Sequence, residues 1–179
     1  ARAAPARFEW AASVHPYRAD ALAEIERAKT LGARALKWIP AAQGIDPASP
    51  RCDGVYATLA RLDLPLITHA GTERAAPGDD ALGNPLRLRR ALEHGVRVVV
   101  AHCASMGESR DLDPGPKGPW TDNFTLFERL MDEPAHAGRL YGDQSALTQT
   151  ARAGAPLRRI LERAGARAAR LLNGSDYPL

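Results

Sequence analysis

Residues 96–102 read Val96-Arg97-Val98-Val99-Val100-Ala101-His102, a nearly continuous apolar run that is β-branched at its centre and ends on a histidine. Branched side chains suit a pleated strand, and a strand apolar along its whole length belongs in a parallel sheet covered by helices. Five other stretches share this character: Trp10–Val14, Ala33–Ile39, Pro65–His69, Leu140–Ser145 and Arg170–Ser175. Helical periodicity fills the intervals at Asp20–Leu31, Gly54–Leu62, Pro85–His94, Asn123–Met131 and Pro156–Ala164. Asp20 and Asn84 stand where N-caps are expected, Asn84 with proline following it. Gly32 and Gly95 stand where helix C-caps are expected, each just before a strand.

Strand–helix alternation leaves an open doubly wound sheet or a closed barrel. No G-x-G-x-x-G follows the first strand and no phosphate loop occurs, which weakens the nucleotide-binding open sheet. The expected fold is therefore α/β, a (β/α)8 TIM-like barrel, in one domain over residues 1–179. A full barrel needs about 250 residues. With six strands counted in 179 residues, the first two strands and the last helix are expected to be missing from this sequence. An isolated six-strand arc would leave bare strand edges, which favours an absent start over a shortened remnant.

The formal charge of +3 comes from arginines spread through helical stretches among acids and apolar residues. That pattern reads as solvated helix faces, so nucleic acid is not an expected partner. No apolar run approaches the ~18 residues of a membrane helix. Cys52 and Cys103 are far apart and form no C-x-x-C pair, which fits a reducing, cytoplasmic setting. The stretch Ser105–Trp120 carries three glycines and three prolines, and reads either as a loose surface insertion or as a lid near the strand ends.

Chemistry-bearing residues recur at the strand ends. Lys37, His69, His102, Asp143 and Asp176 follow one another at spacings of 32, 33, 41 and 33 residues, about one βα unit each. Equivalent points of successive units meet at one face of a parallel barrel, where such enzymes place their sites. Two imidazoles and a carboxylate suit Zn²⁺ or a similar divalent ion.

These residues resemble the amidohydrolase superfamily, in its amidohydrolase-2 branch. The similar pieces are Ser13-Val14-His15-Pro16, Ala35-Leu36-Lys37-Trp38-Ile39-Pro40, Leu66-Ile67-Thr68-His69-Ala70-Gly71, Val100-Ala101-His102 and Asn173-Gly174-Ser175-Asp176-Tyr177-Pro178. The resemblance implies a metal-dependent hydrolase acting on a lactone, ester or amide, or a non-oxidative decarboxylase, with one or two divalent ions, zinc foremost. It implies that His69 is a metal ligand. It implies that His102 binds metal or the substrate's polarised oxygen, and that Asp176 binds metal and acts as general base. Lys37 is open between bridging two metals, contacting substrate and a structural role. The family's His-x-His on its first strand occurs nowhere in this sequence. A non-catalytic barrel fragment is the alternative from another class.

Glu73, Arg74 and His15 lie in strand-end loops and are candidates for shaping a substrate pocket, arginine suiting a carboxylate, though His15, just before Pro16, reads first as a structural turn residue. Cys103 reads as a packing residue, His94 as a helix C-terminal cap and His136 as part of a polar loop. The expected partner is a small-molecule substrate, with homo-oligomerisation left open.

Overall fold

The computed structural model describes residues 8–72, 74, 76–150 and 152–176. In chain order its elements are β1 (Ala11–Ala12), α1 (Ala21–Thr30), β2 (Ala35–Trp38), α2 (Pro40–Gln43), α3 (Asp53–Arg61), β3 (Leu66–His69) and α4 (Arg89–Glu93). There follow β4 (Val98–Ala101), β5 (Glu108–Arg110), β6 (Trp120–Asp122), α5 (Asn123–Asp132), β7 (Leu140–Asp143), α6 (Ala155–Arg167) and β8 (Leu171–Leu172). Six of the strands form one sheet in the order β1-β2-β3-β4-β7-β8, and every pairing in it is parallel. Spatial order follows chain order without a reversal. A doubly wound sheet has a switch point where the order turns back; its absence here makes the sheet an arc of a TIM-type barrel, α/β and incomplete.

Alternation along the strands divides the sheet into two faces. Leu36, Trp38, Leu66, Val98, Val100 and Leu140 face the helical layer and are buried with Ile25, Tyr56, Leu59, Leu92, Phe127 and Leu130. Trp38 tilts against the Tyr56 ring of α3 and donates its indole N–H to the Val14 carbonyl at 2.8 Å. The other face carries Lys37, Ile67, Val99 and Tyr141, which are register partners across β2, β3, β4 and β7 and are half-buried. This second face is the concave side of the arc.

The six expected strands and five expected helices are present, with shifted ends. Strand β8 is only Leu171–Leu172, because Gly142 and Asp143 of β7 are its ladder partners. The helix expected over Pro85–His94 opens as a 3₁₀ turn at Pro85–Leu88, capped by Asn84 Oδ1 on the Leu86 N–H at 3.0 Å. Helix α6 extends to Arg167, whose guanidinium bonds Asp132 and Glu128 of α5. Gly32 and Gly95 follow their helices at φ +91° and +82°, as C-cap positions do.

Three local expectations need correction. Asp20 precedes α1, but its carboxylate takes the Arg18 guanidinium at 2.8 and 2.6 Å and caps no helix N–H. His136 is buried in a 3₁₀ turn, with Nδ1 3.4 Å from the Leu130 carbonyl and 3.2 Å from Glu133. Ser105–Trp120 is not a loose insertion. It contributes β5 to an antiparallel pair with β6, and Asp111 at its centre is buried. The Asp111 carboxylate accepts from Arg129 of α5 at 2.8 and 2.6 Å and from the Asp113 N–H at 3.0 Å, while its own N–H donates to Pro119.

The hydrogen bonds from Arg129 hold the Asp111 carboxyl below its ordinary range. A depressed carboxyl stabilises the folded form above its unfolded pKa of about 3.9 and loses that contribution as pH falls through the folded value. Amide protection in residues 108–122, measured relative to the intrinsic exchange rate at each pH, should therefore fall below pH ~4, before global unfolding. Asp111→Asn should remove this step and cost about 1 kcal/mol, since the partner Arg129 keeps contact with water. Protection factors that do not change with pH in the wild type would show that the pair does not anchor the hairpin.

Candidate active site

Strand β3 delivers His69 and β4 delivers His102 to neighbouring points of the same sheet end. His69 is the last residue of β3, buried, and its register partner is Ala101. The His69 and His102 rings meet edge to face with centroids 5.5 Å apart. Past Ala101 the backbone turns through three consecutive left-handed residues, His102, Cys103 and Ala104, at φ 53°, 51° and 51°. Without glycine, each such residue costs on the order of 1–2 kcal/mol.

Several contacts from β7 and the segment just after it hold this turn. His102 Nδ1 lies 3.0 Å from both the carbonyl oxygen and Oγ of Ser145, and the Cys103 thiol donates to the Asp143 carbonyl at 3.4 Å. Gly142 makes room for it: a Cβ there would stand 2.7 Å from Cys103 Sγ and 2.9 Å from Phe127. Burial pushes the Cys103 thiol up to about 12, so it remains a protonated packing group.

A carbonyl oxygen only accepts, so the contact with Ser145 requires a proton on His102 Nδ1 and leaves Nε2 as an acceptor. Nε2 faces Asp176, whose Oδ2 is 3.9 Å away. Burial, and secondarily the Arg152 cation, pushes the His102 pKa down, against the opposing pull of Ser145, Asp176 and Asp143. A neutral ring with a free Nε2 lone pair is the form in which histidine ligates metal. Asp176 arrives on the segment after β8, at φ 57° and with its side chain 46% exposed. That segment passes close over β7 at Gly174, where a Cβ would stand 2.5 Å from Asp143 Oδ1 and 3.2 Å from Ser145 Cβ.

The remaining expected residues are placed unequally. Lys37 lies on the concave face, in register with Ile67 and so one inward row below His69. His15 uses both ring nitrogens on backbone: Nδ1 accepts from the Tyr17 N–H at 3.2 Å, and Nε2 donates to the Gln43 carbonyl at 2.9 Å. It clamps the turn after β1 and has no nitrogen left for a substrate. Arg74 is exposed in the loop after β3, and Glu73 lies outside the described residues. Ser145 and Arg152 carried no sequence signal beyond their position after a strand end. Asp143 stood in the spacing series but without a role.

As a test of fit, the set His69, His102 and Asp176 has the donor chemistry of a zinc site, with the His102 tautomer already fixed by a hydrogen bond behind it. It is part of a shell. Among the described residues no group of three or more histidine, cysteine, aspartate or glutamate side chains stands close enough to hold an ion by itself.

The family model described as Amidohydrolase, of the amidohydrolase-2 branch, matches residues 1–179. The chain belongs to the amidohydrolase family. Comparison with curated protein sequences gives no match. Among solved structures, an uncharacterised TIM-barrel protein from Bordetella bronchiseptica matches 99% of this chain and 57% of its own length, with a TM-score of 0.70 and 22% identity. The 5-carboxyvanillate decarboxylase of Sphingomonas paucimobilis matches over 99% and 58%, with a TM-score of 0.62 and 16% identity. A protein provisionally assigned as a 2-pyrone-4,6-dicarboxylic acid hydrolase, from Pseudomonas putida, matches over 88% and 53%, with a TM-score of 0.58 and 18% identity. At these identities the likeness is one of fold. This amidohydrolase chain spans little more than half the length of each. No helix among the described residues is long and apolar enough to cross a membrane.

Gly174 offers a direct check on how Asp176 reaches the site. Gly174→Ala should lift the 173–176 segment from β7 and widen the separation between Asp176 Oδ2 and His102 Nε2 beyond 3.9 Å. A crystal structure of the variant with that separation unchanged would refute the close-packing account.

Proposed function

We propose that the protein is a metal-dependent hydrolase that attacks a lactone, ester or amide bond of a carboxylate-bearing small molecule. The observation that carries this reading is His102, buried beside His69 with its Nε2 lone pair turned toward Asp176. His69, His102 and Asp176 would hold a divalent ion, zinc or one like it, as part of its shell. Such an ion, when bound, supplies Lewis acidity and makes water acidic enough to ionise near neutral pH.

The chain's own residues then divide the work. Asp176 is half-exposed beside His102 and takes the proton of the attacking water on its carboxylate. His102 has no Nε2 proton to give a carbonyl oxygen in this tautomer, which makes it a ligand and not a hydrogen-bond donor to substrate. Lys37 lies deeper on the concave face, in register with Ile67, and contributes positive charge there. Arg152, close enough to act on the charge of His102, and Arg74 in the loop after β3 are the cations for a substrate carboxylate. Two of the structural neighbours are named for carboxylate-bearing compounds, which supports that substrate class.

A second reading, non-oxidative decarboxylation of an aromatic acid, draws on the decarboxylase among the neighbours. In that reaction a proton replaces carbon dioxide on the ring carbon, and Asp176 would deliver it.

The intact protein, titrated with zinc, manganese or cobalt, should be screened against lactones and hydroxybenzoates. Turnover should require the metal, be lost on chelation, and fall about 10²–10⁴-fold in Asp176→Asn. Lactone turnover favours the first reading and hydroxybenzoate turnover the second. Absence of stoichiometric metal, with His69→Ala changing stability alone, would sink both in favour of a non-catalytic barrel.

A further inference from the structure

The contacts behind His102 continue past Ser145 to a second carboxylate. Asp143 Oδ1 accepts from the Ser145 N–H at 2.9 Å, and Oδ2 accepts from the Ser145 hydroxyl at 2.5 Å. A hydroxyl bound to a carboxylate is a charge-assisted donor. Its proton is committed to Asp143, so Ser145 Oγ can only accept from His102 Nδ1. The Ser145 carbonyl, at the same 3.0 Å, can never donate. Both contacts therefore demand a proton on Nδ1, and Asp143 is what makes the second one do so.

We propose that Asp143 and Ser145 are positioning residues for His102, locking its Nδ1–H tautomer so that Nε2 is presented as an acceptor toward Asp176. What Nε2 then binds rests on the function proposed above; the locking itself does not. Three features distinguish this arrangement from an ordinary turn at a strand end. An aspartate turn needs one carboxylate oxygen on a backbone N–H two residues on, and Asp143 uses its second oxygen on the hydroxyl as well. Ser145 is buried, so water does not compete for that hydroxyl. The Asp143 backbone carbonyl also receives the Cys103 thiol, so one strand end fixes both the ring of His102 and the left-handed turn that carries it.

Substitution alters the donor sense in a defined way. Asp143→Asn offers an amide that can donate to Ser145 Oγ, which frees the hydroxyl proton to point at Nδ1 and favours the Nε2–H tautomer. Ser145→Ala removes the hydroxyl but keeps the carbonyl acceptor, so it retains the Nδ1–H form.

The test is a proton–nitrogen correlation spectrum of the intact, metal-free protein labelled with ¹⁵N-histidine, followed by titration with zinc alone. The wild type should show His102 protonated on Nδ1. Asp143→Asn should show a mixed or reversed tautomer and bind zinc about 10- to 100-fold more weakly, as loss of a partner behind a ligand does. If Asp143→Asn does not fold, Asp143→Ala, which likewise frees the Ser145 hydroxyl proton, decides by the same spectrum. A wild-type tautomer in Asp143→Asn, or in Asp143→Ala where that variant decides, overturns the proposal, as does an Nε2–H tautomer in the wild type. Failure of the wild type to bind zinc counts against the proposed function alone, since the spectrum reads the tautomer without metal.

Discussion

The left-handed turn at His102–Cys103–Ala104 is the constraint on which the site depends. Three such residues in a row are unfavourable for L-amino acids, and the turn persists because neighbouring elements over-determine it. The Ser145 carbonyl and hydroxyl hold the His102 ring, the Asp143 carbonyl holds the Cys103 thiol, and Gly142 leaves the space Cys103 fills. Had β4 run on as regular strand past Ala101, the next side chain would have pointed into the helical layer with Val98 and Val100. The turn instead brings His102 round to meet His69, which already faces the concave side.

The two faces of the sheet answer to different physics. The helix-facing row is dominated by fully buried aliphatic and aromatic residues and closes against α1, α3 and α5. Its energetics are those of any close-packed core, where lost volume is penalised directly. The concave row of Lys37, Ile67, Val99 and Tyr141 is half-buried and mixed in character. Such a row tolerates a lysine, because an ammonium partly in contact with water escapes the cost of full burial. This division lets one sheet carry both stability and a polar site.

The sequence made the fold readable where its signals were strong and repeated. Apolar strands such as 96–102 and amphipathic helices such as 123–131 left their periods in the chain, and barrel-unit spacing predicted that His69 and His102 would meet. The hairpin of β5 and β6 was missed because each strand has three residues, too few for a period to stand above glycine and proline. Its trace was the buried Ser109 between exposed Glu108 and Arg110. For His15 the turn position beside a strand end is visible in the sequence, but the engagement of both nitrogens depends on Gln43 and Tyr17 backbone that only the fold brings together. Ser145 and Arg152 were invisible as functional residues because neither type is rare in loops, and only the contact of Ser145 with His102 and the charge of Arg152 acting on it distinguish them.

Spacing and identity therefore act at different levels. A recurrence of about one βα unit sends polar residues to one end of the sheet, yet it leaves their separations unspecified. At Gly142 and Gly174 the absence of a side chain sets those separations, one by admitting Cys103 beneath the turn and the other by letting the Asp176 segment lie against Asp143 and Ser145. A side chain at either point would leave the periodicity intact while moving His102 or Asp176. The Gly174-Ser175-Asp176 motif is thus a packing statement as much as a chemical one: the glycine brings the carboxylate within reach, and the strand end of β7 is the surface against which it is measured.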